Sequence, residues 1–517
     1  MCPFERLACS CPVVFKYCVI SLCVVVLIQS CSSEALELSP ADKSLLTGSL
    51  KDAQSLQTLV NGVYRAMYMN AWSTSWSQEN PGIMAITLVR DLQGEDHLMS
   101  GQGNGWFWYD YTYETDADFA GTNGRQYAFW SMCYTIVNQA NLVLSARDQL
   151  KADSLALSVF AQAYALRAFA YTCLYECFCE GNYPENLTSP GVPLYTEASS
   201  IESRGNPRAR IDTVLMQIKT DYGRAAELFK LSSSGRLHPS YIDLYACYGL
   251  WARLALICRD WAMVDSLATL ALSKPGLVQV ADIEELGQFN DLRAKNLLWG
   301  FKVLTEQTSP YGPFLSHMDP RGGYGQNAFQ CIDAGLYSRI PDSDLRKSWW
   351  ESPDNYTYYP YCQLKFRYAD PLSFTGDLIY LRAEELLLMK AEAACQQQNY
   401  QQARTLLLKL GAKRDSLYAS RLSECTNSKL FNIDTQAEIV SLMDEILFQR
   451  RVELWCEGFG RCFDLRRLYL GYDRNYSGSN HTRLIKLLPG DHRYQMLLPQ
   501  YETDNNPNIN ATHQNPR

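Results

Sequence analysis

Cleaving a glycosidic bond takes two facing carboxyl groups, one donating a proton while the other acts as base or nucleophile. Three closely spaced pairs offer such carboxyls: Asp116 with Asp118, Asp342 with Asp344, and Glu384 with Glu385. Each reads more simply as a loop cap or as part of a solvated helix face. The six histidines are isolated, with neither HExxH nor HxH spacing for a metal. No GxSxG elbow is present to expose a serine nucleophile. Arg321-Gly322-Gly323-Tyr324-Gly325 is glycine-rich. It lacks the Lys-Ser/Thr ending and the preceding apolar strand of a phosphate loop, so it reads as a turn. The expectation is a chain with no catalytic residue, no metal and no cofactor, and therefore not an enzyme.

Aromatic rings on irregular segments offer a different chemistry. Tyr and Trp number 33 and 11, and many fall among Gly, Asn and Ser instead of in periodic apolar patterns. One such stretch follows the first helix for about fifty residues and carries Trp72, Trp76, Trp106, Trp108 and Tyr109, with Arg90, Asp91 and Asp96 inside it. A second, between Phe301 and Asp377, carries Tyr311, Tyr324, Asn327 and the string YTYYPY at 356–361. Long loops are usually functional or disordered, and these are too aromatic for disorder. A flat ring face suits the C–H face of a sugar, whose hydroxyls bond to Asn, Asp, Arg and Gln. Tyr and Trp also lose little side-chain entropy on binding. The same rings could clamp an extended peptide. The net charge of −8 and the absence of a basic stripe exclude nucleic acid as a partner.

These loops need a frame, and the apolar periodicity predicts helices. Lys51–Asn70, Gly124–Gln149, Asp153–Cys179 and Asp212–Lys230 read as helices. Pro239–Ser273 and Leu381–Leu410 read as helical hairpins, with turns at Asp260-Trp261 and Asn399-Tyr400. Small residues on the first helix of each hairpin resemble tetratricopeptide units, which bury their faces only by stacking. Of 18 cysteines, six lie at or before Cys31. The other twelve read as buried thiols, with a disulfide among Cys173, Cys177 and Cys179 as the alternative in an oxidising compartment. Residues 1–30 read as a signal peptide: Arg6 and Lys16 precede a ten-residue apolar run, Val19–Ile28, too short to span a bilayer. Ser30-Cys31 after that run looks like a bacterial lipobox, with Cys31 the acylated residue and 31–50 a polar tether.

The densest motif lies at 438–468, EIVSLMDEILFQRRVELWCEGFGRCFDLRRL. It reads as an amphipathic helix from Glu438 through Trp455, stopped by Gly458, then a short second helix from Phe463. Glu445 and Glu453 are placed to pair with Arg450 and Arg451 at i,i+3-type spacing. Arg450, Glu453, Glu457, Asp464 and Arg466 read as a structural ion-pair cluster. The string RRxELxxEGxGRxFDLRR resembles the C-terminal signature of the SusD/RagB family, surface lipoproteins of Bacteroidetes. RAFxY followed by GVPL at 191–194, the DxDLR at 342–346, and Asn506-Pro507 near the end recur in the family's order.

The resemblance implies a mostly α fold, an α-α superhelix of tetratricopeptide-like hairpins bearing a loop-rich ligand-binding lobe. It divides the chain into an N-terminal region, 51–235, and a C-terminal region, 236–517, that includes the irregular lobe at 300–376. It implies a palmitate-bearing lipoprotein of the cell outer membrane. This protein would bind an oligosaccharide and deliver it to a SusC-like TonB-dependent transporter for nutrient uptake. An oligopeptide binder of the same fold and a non-catalytic helical-repeat adaptor are the alternatives. Trp72, Trp76, Arg90, Asp91, Asp96, Trp106, Trp108, Tyr109, Tyr311, Tyr324 and Asn327 are the expected ligand contacts.

Overall fold

In the computed structural model, residues 52–72, 77–114, 124–150, 153–200 and 202–516 are described. Cys31, Trp76, Asp116 and Asp118 lie outside the described residues. Helices dominate: α1 (Ala53–Ala66), α2 (Ile83–Leu92), α3 (Arg125–Ser145), α4 (Ser154–Phe178), α5 (Ile211–Leu231), α6 (Leu244–Ile257), α7 (Trp261–Leu272), α8 (Ala383–Gln396), α9 (Tyr400–Gly411), α10 (Leu442–Glu453) and α11 (Arg461–Arg467), with shorter turns between them. From α3 to α9 each helix packs on the next in the chain, so the α6/α7 hairpin stacks on the α8/α9 hairpin through α7 and α8.

Local chemistry sets the ends of these helices. Asp153 caps α4 by accepting from the Ala156 N–H at 2.8 Å. The expected turn residues of the two hairpins are themselves caps: Asp260 accepts from the Met263 N–H and Asn399 from the Gln402 N–H. In both turns the preceding residue, Arg259 or Gln398, is left-handed, with φ +48° and +62°. α4 is buried almost all round, so its charged side chains are anchored internally. Arg167 reaches Asp221 on α5 at 2.6 Å and Asn141 on α3 at 2.6 Å. Gly249 lets α6 approach the distant strand Leu378–Arg382, since a Cβ there would meet Leu381 at 2.7 Å.

Four two-stranded antiparallel ladders complete the described structure: β1 (His97–Met99) with β5 (Gln330–Ile332), β2 (Pro190–Pro193) with β3 (Arg208–Arg210), β4 (Leu297–Phe301) with β6 (Leu378–Arg382), and β7 (Tyr472–Asp473) with β8 (Lys486–Leu487). The β4–β6 ladder pairs Phe301 with Leu378. It therefore closes the base of the irregular segment that runs between them.

Two expectations need correction. The stretch after the first helix is not continuously irregular, because it contains α2, buried along its whole length. Its sequence, IMAITLVRDL, is ten residues long and carries its only charged pair, Arg90-Asp91, in the last turn, so little polar contrast marks it off from the aromatic loop around it. α10 is shorter than expected. A capping box between Ser441 and Asp444 starts it at Leu442. It ends at Glu453 because cations take the next carbonyls: Arg382 binds Glu453 O at 2.6 Å, and Lys365 binds Glu453 O and Trp455 O at 3.0 Å each. Gly458 does turn left-handed, φ +60°, but only after Cys456 has done so at +54°. α11 starts at Arg461, two residues before Phe463.

The charges of α10 point inward, not along a solvated face. Glu453 accepts from Arg382 at 2.7 Å, Arg346 at 3.0 Å and Arg414 at 3.0 Å. Burial alone would raise its pKa, but the three guanidiniums outweigh burial and hold it well below the usual carboxylate range. Glu457 pairs with Arg382 at 2.6 Å and Lys365 at 2.5 Å. Arg450 pairs with Asp464 at 2.9 Å, which also holds Arg467, itself paired with Glu392 at 2.5 Å. Arg466 goes to Glu176 at 2.8 Å. The five residues expected to cluster are thus all ion-paired, four of them buried and Glu457 half-buried, yet only Arg450 and Asp464 pair with each other. The i,i+3 pairs do not form, since Arg451 reaches Asp96 and Glu445 bonds Gln449.

Replacing Glu453 with Gln should leave three buried guanidiniums facing a neutral amide where their common carboxylate stood. Removing one partner of a buried ionic group costs about 3–5 kcal/mol. Urea unfolding of Glu453→Gln is expected to show that loss.

Candidate functional site

The β1–β5 ladder brings the two aromatic loops together. His97 pairs with Ile332, Leu98 with Cys331 and Met99 with Gln330. The pairing continues outward as the Ser100 N–H donates to Phe329 O and the Phe329 N–H to Ser100 Oγ, both at 2.9 Å. Beyond it the chain crosses itself closely. Gly103 has φ +51°, and a Cβ there would sit 2.8 Å from Ala328.

Residues from both loops then form one ring set. Trp106 meets Tyr324 edge-on at 5.8 Å between centroids, and Tyr324 meets Tyr311 at 5.1 Å. Beneath them His317 stacks on Tyr324 at 5.2 Å and takes the edge of Phe107 at 4.9 Å. The Arg125 guanidinium supports Phe107 from the other side, 4.6 Å from its ring, while bound to Asp110 at 2.8 Å. His317 Nε2 donates to Gln78 O at 2.8 Å. Burial, reinforced by Arg125, lowers the His317 pKa to about 4, so at neutral pH it is an uncharged ring that packs. Tyr324 also donates its hydroxyl to Gln78 Oε1. The upper faces are open: Tyr311 is 53% exposed, Tyr109 43%, and Asn327 is exposed at the rim. Tyr109 accepts a bond from Gln102 at 3.4 Å.

Other expected contacts lie elsewhere. Trp108 packs on Tyr111 at 5.7 Å. Trp72 donates its indole N–H to Ala66 O at 3.1 Å. Arg90, Asp91 and Asp96 are buried away from the ring set, each no more than 2% exposed. Arg90 binds Gln93 and Tyr494 O. Asp91 Oδ2 lies 2.8 Å from His97 Nδ1, and Asp91 Oδ1 accepts from the Arg461 N–H. Asp96 is clasped by Arg451 at 2.5 Å. Beside it, Glu95 would be raised by burial, but Arg461 and Arg451 outweigh that and hold it at about 2. The reason is the helix hidden in an apolar run: Arg90 and Asp91 are its last turn, not loop tips.

Sequence reasoning missed His317, Gln78, Phe329 and Tyr359. Phe329 stacks on Tyr359 at 5.5 Å, extending the aromatic surface, and Tyr359 is 41% exposed. The YTYYPY string held the signal for Tyr359.

The two carboxylate pairs among the described residues face different partners. Glu384 bonds Asn296 at 2.9 Å while its neighbour Glu385 binds Arg253 at 2.6 Å. Asp344 holds buried Arg346 at 2.7 Å, and Asp342 holds Lys347 in solvent at 2.7 Å. One group of three metal-type donors occurs among the described residues: Asp91, His97 and Cys456, buried and within 4.8 Å of one another. Asp91 and His97 keep hydrogen-bond partners of their own, with His97 Nε2 3.0 Å from Gln330 Oε1 and Asp91 Oδ1 on the Arg461 N–H.

Comparison with known proteins bears on this geometry. Residues 36–256 match a family model described as starch-binding associating with outer membrane, and residues 339–516 match the model of the SusD family. No curated protein sequence matches. A SusD-like carbohydrate binding protein from Bacteroides vulgatus superposes with TM-score 0.69 at 21% identity, over 90% of this chain and 98% of that one. A SusD superfamily protein from Bacteroides thetaiotaomicron gives 0.71 at 20% identity, over 90% and 100%. The surface glycan-binding protein A of Bacteroides uniformis gives 0.64 at 16% identity, over 90% and 99%. The mostly helical fold is shared with all three.

The turn beneath Tyr324 is the sensitive point of the ring set. Gly323 has φ +64°, and a Cβ there would meet Ser316 Oγ at 2.5 Å and Pro310 O at 2.8 Å. Gly323→Ala is expected to cost about 1–3 kcal/mol in backbone strain and to move Tyr324 off Trp106. Urea unfolding reads the first effect and near-ultraviolet circular dichroism the second.

Proposed function

The chain belongs to the SusD/RagB family, and on that footing we propose that it binds a glycan at the cell surface and passes it to a SusC-like TonB-dependent transporter. The observation that carries the binding half is the Trp106–Tyr324–Tyr311 ring set, in which Tyr311 is exposed and Trp106 and Tyr324 are half-buried, with Asn327, Tyr109 and Gln102 exposed nearby. Sugar rings lay their C–H faces on indole and phenol planes, and the flanking amides take their hydroxyls. The rings are already packed on His317, Phe107 and Gln78, so little side-chain freedom is lost when a ligand arrives.

Binding without chemistry fits the carboxylates described, each consumed by an arginine, a lysine or an amide. Membrane attachment rests on the Ser30-Cys31 lipobox reading. Among the described residues no helix is long and apolar enough to cross a membrane. Acyl chains on Cys31 would add about 0.8 kcal/mol per buried CH₂. The stacked hairpins offer the broad helical surface with which a lid could seat on a barrel.

Trp106→Ala and Tyr324→Ala should each weaken oligosaccharide binding about tenfold or more, the equivalent of about 1.4 kcal/mol, with the far-ultraviolet spectrum unchanged. Isothermal calorimetry against a panel of plant and host glycans and of oligopeptides measures this. Unaltered glycan affinity in both variants defeats the assignment of the site, and binding of peptides alone defeats that of the ligand. Cys31→Ala should move the protein from the membrane pellet to the soluble fraction.

A further inference from the structure

Directly below the ring set, β5 meets a second chain segment at Cys331 and Cys362. These two residues form an isolated antiparallel bridge. The hydrogen bonds that flank it run from the Ile332 N–H to Tyr361 O at 3.1 Å and from the Gln363 N–H to Gln330 O at 2.8 Å. That pattern makes Cys331 and Cys362 a directly opposed, non-hydrogen-bonded pair. Such pairs bring their Cα atoms to about 4.5 Å, with both side chains on one face of the ladder. The distance lies inside the range of about 4.4–6.8 Å that a disulfide spans.

From this register we propose that Cys331 and Cys362 close a cross-strand disulfide when the chain folds in an oxidising compartment. It rests on the proposed surface location only for its oxidant, the disulfide of a thiol oxidoreductase or a small-molecule disulfide. One thiolate attacks the external disulfide and expels a thiol, forming a mixed disulfide. The second thiolate then displaces the other external sulfur. Two cysteine thiols lose two protons and two electrons in all, and the external disulfide becomes two thiols.

The surroundings set the timing. Both residues are fully buried, and in the described structure both are free thiols whose Sγ atoms lie 3.7 Å from Phe329 O and 3.6 Å from Gln363 O. Burial, and then the neighbouring Cys362, raise the Cys331 thiol well above its ordinary value, while burial and then Glu351 raise Cys362. Thiolate is the attacking species, so exchange is shut once the fold is complete and the bond must form while the strands are assembling. Cys173 has the Cys133 thiol of the neighbouring helix α3 as its hydrogen-bonding neighbour, and Cys173, Cys177 and Cys179 are all free, buried thiols in the described structure. The closed bond would tie the segment that carries Tyr359 to the strand that leads out of the Tyr324 turn.

The test is refolding of the reduced, denatured chain in a mixture of oxidised and reduced glutathione. Alkylation, digestion and mass spectrometry follow. A peptide joining Cys331 to Cys362 is expected, together with a Tm roughly 2–5 °C above that of protein refolded in dithiothreitol. Cys331→Ala and Cys362→Ala should each abolish the redox difference in Tm, and Cys247→Ala should keep it. Recovery of both residues alkylated from the glutathione-refolded wild type overturns the proposal without need of any variant. A cross-link formed in vitro, with a dithiol in protein drawn from its own cells, upholds the pairing and counts against the surface location.

Discussion

A single carboxylate, Glu453, draws together residues from four distant parts of the chain. Arg346, Arg382 and Arg414 each place a guanidinium on it, and all four side chains are fully buried. Taking such charges out of water costs several kcal/mol apiece and is offset only when every lone pair and proton finds a partner. The arrangement meets that condition. Arg382 turns its remaining donors to Glu457, Arg346 to Asp344, and Arg414 to Ala281 O. Half-formed versions of this network are unfavourable, so it acts as an all-or-none lock that admits one relative placement of the irregular lobe, α8, the end of α9 and α10.

That lock reaches the ring set through few intermediates. Trp455, two residues after Glu453, donates its indole N–H to Asp96 O at 2.9 Å, and Arg451 clasps the Asp96 carboxylate. Asp96 immediately precedes β1, and the Asp333 N–H donates to Asp96 O at 3.0 Å just after β5. The ladder that joins the aromatic loops is thus pinned at its inner end by the buried charge system. Its outer end is left free to carry Trp106 and Tyr324.

Much of this was legible in the amino-acid order. The hairpins showed themselves by small residues and by Asp260 and Asn399, because capping is a local interaction that a short string encodes. Trp106, Tyr311, Tyr324 and Asn327 stood out as rings and amides among turn formers. The rest depended on long-range pairing. Nothing local to Glu453 says that its partners are 346, 382 and 414, and helical spacing pointed wrongly to Arg450. α2 was hidden because a short helix buried on all sides shows little polar contrast with the loop around it. Arg90 and Asp91 were misplaced on a ligand loop for that one reason, and His317 and Gln78 were invisible because they serve the rings from beneath.

The two hairpins share one turn grammar, a left-handed residue followed by a side-chain cap, at Arg259-Asp260 and at Gln398-Asn399. Between them lies the whole irregular lobe, entering at β4 and leaving at β6, two strands hydrogen-bonded to each other. Entry and exit being adjacent, the lobe is topologically an insertion between consecutive repeats. Lineages can lengthen, shorten or exchange it while the repeat-to-repeat stacking stays intact. Change in the aromatic lobe is thereby mechanically uncoupled from the packing of the helical scaffold.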